Sequence, residues 1–496
     1  MYAIGFDLGS SSVKAALLEI DSGKIVAAAT YPETEMAMDA PKTGWAEQNP
    51  EDWWSNIKKV TADLDKKHPG AVAGVQAIGI TYQMHGLVLV DKNLEVLRPS
   101  IIWCDSRAAE IGDRASKELG EEYCLENFLN SPGNFTTAKL RWVQENEPEI
   151  FKKIHKMMLP GDYIAMKLSG SITTTVTGLS EGILWNFKKN AIAQELLDHW
   201  NIDESVLADP KDTFVEQTHV SQKASDETGI PAGVPISYRA GDQPNNAFSL
   251  NVLNPGEVAA TAGTSGVVYG IMDQPSYDPQ SRVNPFVHVN HTPDHPRYGV
   301  LLCVNGTGIL NSWLKRNLFS DGRTDYDAIN KMAAQIDHGS EGVTVFPFGN
   351  GAERILMNRE PGAQIRGVSF NLHDYRHIAR AGQEGIVYSL VYGMEIMQQM
   401  GIRSDTIKAG KANMFLSPVF RDIFVNCTGA SLELYETDGA YGAARGAAVG
   451  SGLYSSFEEA FRGLKKLEQQ DPDKNLQSAY EQHYGRWKEQ LHHLLN

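Results

Sequence analysis

An α/β fold built from two similar halves is predicted by three features of this chain. FDLGSSSVKAALLEI at Phe6–Ile20 and AATAGTSGVVYG at Ala259–Gly270 each read as a strand, a tight turn of Gly and hydroxyl residues, and a second strand. Between them, AGDQPNNA sets a lone carboxylate, Asp242, at the end of an apolar run. Polyphosphates require backbone N–H groups left uncovered by small residues, hydroxyl donors, and a carboxylate for a divalent cation. These features together imply a chain that clamps a nucleotide between its halves. The repeated opening suggests a degenerate internal duplication, similar in pattern and not in identity.

The elements follow in order. Tyr2–Phe6 is strand-like, Val13–Ile20 is apolar, Asp21–Lys24 is a turn, and Ile25–Tyr31 is apolar again, which makes a meander. NPEDWW starts a helix near Asn49, with Pro just inside its first turn, and a charged run carries it to about Lys67. Ala77–Thr81 reads as a buried strand entering Gln83-Met84-His85-Gly86, with Leu87–Val90 as its partner. WCDSRAAE leaves a strand for a helix, and Glu110–Trp200 is mainly helical by pattern. Val234–Tyr238 leads into Gly241-Asp242, and Asn254–Gly256 is a turn before the second glycine hairpin.

The boundary between halves falls near Leu250–Pro255. This gives a first domain over 1–250, a second over 251–450 and a helical tail over 451–496. In the second half, NGTGILNSWLKRNLF reads as a helix, FPFGNGAERI as a glycine-rich loop, and Arg376–Gln399 as a long helix before AGKANMF.

Size and composition narrow the function. A chain of 496 residues is too long for one ordinary core, and roughly two to four domains are expected. A net charge of −16 argues against nucleic acid, because phosphate contacts need a basic surface. A nucleotide must then find positive charge locally, from a metal, lysines or helix N-termini. No segment approaches about 20 consecutive apolar residues, so no membrane partner is expected. MYAIGFDLG runs straight into the first motif and reads as structure, not as an address. Cys104, Cys124, Cys303 and Cys427 are scattered without a CxxC pair, which fits a reducing cytoplasm better than a zinc or disulfide framework.

Each chemical candidate has a plainer alternative. Asp7, ahead of Gly9 in the first hairpin, suits a water-mediated Mg²⁺ contact or an Asp that closes a turn through its own backbone. Neither half matches the GxxxxGK[ST] phosphate loop, so that fold is excluded. Asp242 reads either as a helix N-cap or as a general base taking a proton from an attacking hydroxyl. His85 is a satisfied core histidine or a hydrogen-bonding group for a polar substrate, and Met84 alone would be core packing. Trp103 and Asp105 form a polar–aromatic pair that suits a sugar or a domain edge.

The chain resembles the FGGY family of carbohydrate kinases. The resemblance rests on IGFDLGSSSVKAALL, GWAEQNPEDWW, GITYQMHGLVLVD, WCDSRAAE, FTTAKLRWVQENEPEIFKKI, MLPGDYIAMKLSG, AGDQPNNAFSLNVLNPGEVAATAGTSGVV and RGVSFNLHDYRHIARAGQEGI, in an order and spacing that cover most of residues 1–450. It implies an α/β architecture of two ribonuclease-H-like (actin-like ATPase) domains flanking a catalytic cleft. It also implies ATP and Mg²⁺ as cofactors, a small sugar as substrate, and a homodimer.

By the same resemblance, Asp242 is the catalytic base and Asp7 the metal-associated carboxylate. Gly9, Ser10, Ser11 and Ser12 form the first phosphate turn, and Gly263, Thr264 and Ser265 the second. Gly308, Gly410 and Asn413 fall where similar kinases hold the nucleotide. Met84 and His85, with Trp103, Asp105 and Asn246, would contact the sugar. QMHG points to family members acting on D-xylulose, a ketopentose. Departures at Thr173–Phe187, at FPFGNGAERILMN and at Gln243-Pro244 keep L-ribulose, L-fuculose or glycerol open as substrates, while AGKAN is a shortened, altered version of the family's glycine-rich turn near Gly410 and Asn413. An actin-like nucleotide switch without a sugar site is the more distant alternative.

Overall fold

The structure, a computed structural model, describes residues 1–319 and 324–496. The chain divides into two compact units: Met1–Asn251 with Phe286–Tyr298 and Thr437–Leu464, and Val252–Pro285 with Gly299–Glu436 and Lys465–Asn496. No single cut in the sequence separates them.

The first unit is built on β1 (Tyr2–Leu8), β2 (Val13–Glu19), β3 (Lys24–Tyr31), β4 (Val75–Tyr82), β5 (Thr218–His219) and β6 (Pro235–Gly241). They form one sheet in the order β5-β6-β4-β1-β2-β3. The β1–β2–β3 meander is antiparallel, whereas β4 pairs parallel with both β1 and β6. Residues Ala3–Phe6 of β1 are all buried, as expected of a strand covered on both faces.

Helix α1 (Pro50–Lys67) covers one face, packing on β2 and β3 through Trp53, Trp54, Ile57, Val60 and Leu64. Its start is set locally: Asn49 accepts a hydrogen bond from the Glu51 N–H at 3.1 Å, Pro50 supplies a helical φ, and Glu51 and Asp52 sit at the positive end of the helix dipole.

The other face is covered from far along the chain by the helix Gly439–Gly450, which packs on β1, β4 and β6. Its sequence, GAYGAARGAAVG, is almost free of bulk, and the sheet answers with glycines. A methyl group on Gly5 would lie 2.1 Å from the Ala440 carbonyl oxygen, and one on Gly79 2.0 Å from that of Ala443. Backbone-to-backbone packing this close leaves no room for a side chain on the sheet.

The second unit repeats the scheme. Within a seven-stranded sheet, β7 (Val258–Ala262), β8 (Gly266–Met272), β9 (Thr406–Gly410), β10 (Ser431–Tyr435) and β11 (Lys466–Gln470) lie in the order β8-β7-β9-β10-β11. The pairings along that order are antiparallel, parallel, parallel and antiparallel. The first unit's β2-β1-β4-β6-β5 carries the same sequence of directions. The duplication suggested by the two hairpins is therefore a property of the topology.

Two expectations change. The stretch 110–200 is not simply helical: Lys156–Met158 pairs with Val88–Val90, and Thr173–Thr175 with Asp209–Lys211. These strands are three residues long and their partners are distant, so no local period announces them. The tail is likewise mixed, since β11 precedes the helix Lys474–Leu495. That helix is anchored by Trp487, which donates to the Val345 carbonyl at 2.9 Å and stacks on Phe346. Cys104, Cys124 and Cys427 are free thiols.

Candidate active site

Three parallel-paired strands of the first unit, β1, β4 and β6, end side by side, and each delivers a candidate residue. Asp7 faces Thr81 in register, and Gly241 faces Tyr82. The residues just past these ends are therefore neighbours: the Gly9–Ser12 turn after β1, Gln83–Gly86 after β4 and Asp242 after β6. In open α/β sheets this is where ligands bind.

Asp7 is half-buried on β1. The first turn is closed by its backbone, with Gly9 N–H donating to the Ser12 carbonyl at 3.0 Å. Gln48 reaches in to donate to the Ser10 carbonyl at 2.7 Å, and its own Oε1 accepts from Gln83 and Trp53. Burial pushes the Asp7 carboxyl up to about 6; Lys14 opposes this and Asp438 adds to it. Asp438 was not expected from the sequence, nor was the approach of Gly439, where a methyl would lie 2.5 Å from Asp7 Oδ2.

Asp242 opens the helix Asp242–Ser249 and is its first helical residue, Gly241 being the N-cap. The plain capping reading therefore does not hold. Its Oδ2 accepts from Gln243 Nε2 at 3.1 Å. Burial, followed by the charge of Asp7, pushes the Asp242 carboxyl up to about 7. A carboxylate poised near neutrality is suited to accept a proton.

Met84 and His85 stand next to it. The Met84 side chain packs on Gly241, where a methyl would come within 2.6 Å of Cγ. His85 has φ 61°, a left-handed conformation rare for a non-glycine residue and costly by roughly 1–3 kcal/mol. Several contacts hold it there. Its Nδ1 lies 3.0 Å from the Glu181 carbonyl, which can only accept, so Nδ1 carries the proton. Its ring meets Phe135 edge-on at 4.8 Å and Phe286 at 5.5 Å. Its own carbonyl accepts from Lys139 Nζ at 2.8 Å. Lys139 is fully buried and also donates to the Ile102 carbonyl at 2.9 Å, which ties the His85 turn to the loop carrying Trp103.

Trp103 is 39% exposed, with Nε1 3.4 Å from Ser10 Oγ, and so sits beside the Gly9–Ser12 turn. Asp105 is a correction to the expected sugar contact. It is 0% exposed, and its carboxylate accepts from Ala46 N–H at 2.6 Å and from the Arg107 guanidinium. Arg107 is in turn paired with Glu47 and stacked on Trp45 at 3.7 Å. Both Asp105 oxygens are thus committed to structure. Asn246 is half-buried one helical turn past Asp242.

The second unit carries the other turn. Gly263-Thr264-Ser265 links β7 and β8, and the helix Gly308–Leu318 begins against it. Gly308 N–H donates to the Gly263 carbonyl at 2.9 Å, and Ile309 N–H to that of Thr264 at 3.2 Å. A methyl on Gly308 would lie 2.3 Å from the Gly263 oxygen. Asn413, at φ 53°, brings its Nδ2 to 3.5 Å from where a Gly263 side chain would start, and Gly410 ends β9. Gly263, Thr264, Gly308 and Asn413 are therefore gathered at one turn that abuts the start of this helix.

Of the residues missed by sequence reasoning, Gln48 and Lys139 lie inside the quoted stretches GWAEQNPEDWW and FTTAKLRWVQENEPEIFKKI, but nothing local marks them as buried. Glu181 lies in the departing segment Thr173–Phe187.

An actin-like two-unit kinase of small sugars is the class that this fold and site define. The N-terminal domain of the FGGY family of carbohydrate kinases matches residues 2–249, and the C-terminal domain matches residues 258–451. The chain belongs to this family. It is 30% identical to the xylulose kinase of Escherichia coli over 96% of both chains. It also superposes on the crystal structure of xylulose kinase from Rhodospirillum rubrum with a TM-score of 0.87 at 24% identity, covering 100% of each chain. Glycerol kinase of Plasmodium falciparum with ADP matches with a TM-score of 0.86 at 20% identity, over 99% of this chain and 98% of the other. No helix among the described residues is long and apolar enough to cross a membrane.

Proposed function

We propose that this kinase transfers the γ-phosphoryl group of ATP to the terminal hydroxyl of a ketopentose, converting D-xylulose to D-xylulose 5-phosphate. The observation that carries the reading is the half-buried Asp242 carboxyl, held near neutrality beside Met84 and His85. The xylulose kinases among its relatives supply the substrate.

Met84 and His85 bind the sugar, with Trp103 and Asn246 as further contacts. The bond from its Nδ1 to the Glu181 carbonyl fixes the orientation of the His85 ring. Asp242 takes the proton of the hydroxyl as its oxygen bonds to the γ-phosphorus and the bond from that phosphorus to the bridging oxygen of ADP breaks. The Gly9–Ser12 turn of the first unit offers N–H and hydroxyl donors to phosphate oxygens. Gly263, Thr264, Ser265, Gly308, Gly410 and Asn413 of the second unit hold the nucleotide.

The residues present fit Mg²⁺. Asp7 is a half-buried carboxylate at the mouth of the Gly9–Ser12 turn, and Asp438 is close enough for its charge to act on it. Such sparse protein ligation is usual for Mg²⁺, which keeps waters and substrate phosphates as its other ligands. When bound it neutralises phosphate charge.

The test is ADP release with Mg·ATP and a panel of ketopentoses, deoxy sugars and glycerol. Turnover selective for D-xylulose is expected. Selective turnover of another sugar or of glycerol would replace the substrate and keep the chemistry, a reading that Gln243 after Asp242 keeps in play. ATP binding without turnover on any of them would refute the proposal.

A further inference from the structure

Glu181 closes the short helix Val176–Glu181 and is 1% exposed. Both of its carboxyl oxygens are buried without a hydrogen-bond partner among the described residues. A buried carboxyl in that state costs free energy in either protonation form, and most buried polar groups in folded proteins avoid it.

Its surroundings are those of the sugar residues. A methyl on Gly241 would fall 2.6 Å from Glu181 Oε2 and 2.6 Å from Met84 Cγ, so carboxyl and thioether side chain share the space beside the residue preceding Asp242. The Glu181 carbonyl fixes the His85 ring. The buried Tyr82 hydroxyl is a protein donor close enough to the carboxyl to act on its charge, yet neither group makes a hydrogen bond of ordinary distance and angle among the described residues. Asp162, the other buried acid nearby, is already paired with Arg239 at 3.0 Å. Glu181 is thus the acid of this group with no ion pair and no well-formed hydrogen bond to either oxygen among the described residues.

We infer that the Glu181 carboxyl is a specificity-determining group that hydrogen-bonds a hydroxyl of the bound sugar. The inference rests on the sugar-kinase reading above. A sugar hydroxyl both donates and accepts, which is what a neutral carboxyl lacks here. Burial and the charge of Asp242 both push the Glu181 carboxyl well up, which favours the neutral form. A neutral acid also keeps a second negative charge away from the base.

The experiment is a cycle between Glu181→Leu and a set of analogues of the preferred sugar, each lacking one hydroxyl, read as kcat/KM. The leucine matches the site in size and removes the hydrogen-bonding group. On the full sugar it is expected to lose about 10–100-fold, the cost of leaving a bonded polar group unmet. On the analogue missing the recognised hydroxyl it should lose little more than wild type has already lost. Non-additivity at a single position supports the assignment. An equal loss on every analogue, or no loss, overturns it in favour of a packing role. If the leucine variant does not fold, Glu181→Met, which also lacks a strong hydrogen-bonding group, carries the same cycle, and uniform behaviour there overturns the assignment too. Wild-type protein that turns over no sugar refutes the underlying kinase reading, a result separate from any pattern among the variants.

Discussion

Lys139→Met offers the sharpest physical test of how the sugar side is held. The ammonium is fully buried, and burial outweighs the opposing charge of Asp105 to bring its pKa down from 10.5 to about 8. Between those values the unfolded chain binds a proton that the folded chain has released. Wild-type stability should therefore rise with pH across that window, while below pH 8 the folded state carries the whole cost. The gap is worth about 3 kcal/mol. Methionine keeps the volume and removes the titration.

The difference in unfolding free energy, wild type minus variant, should accordingly grow by about 3 kcal/mol from pH 7.5 to 10.5 in urea unfolding followed by tryptophan fluorescence. Taking the difference cancels the groups that titrate in that range without sensing Lys139; the Cys104 thiol, which does sense it, is removed from both proteins by a background Cys104→Ala substitution. The substitution also strips the donor from the His85 and Ile102 carbonyls. With His85 released from its strained backbone, KM for the sugar should rise about tenfold, the equivalent of one modest hydrogen bond. A stability difference that is flat with pH, together with an unchanged KM, would refute both the buried charge and its role in holding His85.

Four further substitutions probe the site and its scaffold. Asp242→Asn should lower kcat by about 10²–10⁴-fold while leaving nucleotide affinity intact. In wild type, kcat/KM should fall about tenfold per pH unit below about 7, as the base becomes protonated, and near-normal turnover in the variant would remove Asp242 from the mechanism. His85→Ala should raise the sugar KM with little change in kcat; an unchanged KM returns it to the role of a core histidine. Gly308→Ala pushes a methyl to 2.3 Å from the Gly263 oxygen and should weaken nucleotide binding about tenfold or more by calorimetry, whereas unaltered affinity would detach that turn from the nucleotide. Gly79→Ala should destabilise the first unit by about 1–3 kcal/mol or more, because the Ala443 carbonyl occupies the space; a melting temperature equal to wild type contradicts that packing.

Local pattern carried a good deal of this protein. Pro50 and Asn49 mark the start of α1 because capping is a matter of adjacent residues. Gly9–Ser12 and Gly263–Ser265 announce two hairpins because tight turns demand small and hydroxyl residues. The carboxylate just past β6, Asp242, stands out because a charged residue following an apolar run is itself a signal. The order of these motifs, with QMHG after β4, sufficed to place the chain in its family.

What the sequence could not reveal depends on residues that are far apart along the chain. Asp105 reads as an open acid beside a tryptophan until Ala46 and Arg107 take up its oxygens. Lys139 reads as an ordinary helical lysine, and only folding buries it against the His85 and Ile102 carbonyls. Glu181 acquires its setting from Gly241, Met84 and His85, which lie some 60 to 100 positions away in number. The helix Gly439–Gly450, near the end of the chain, completes the first unit because Gly5 and Gly79 let two backbones touch. Motifs encode which groups are available, because turns, caps and strand ends form within a few residues. Burial, charge state and partnership are set by long-range packing, and only the tertiary structure decides those.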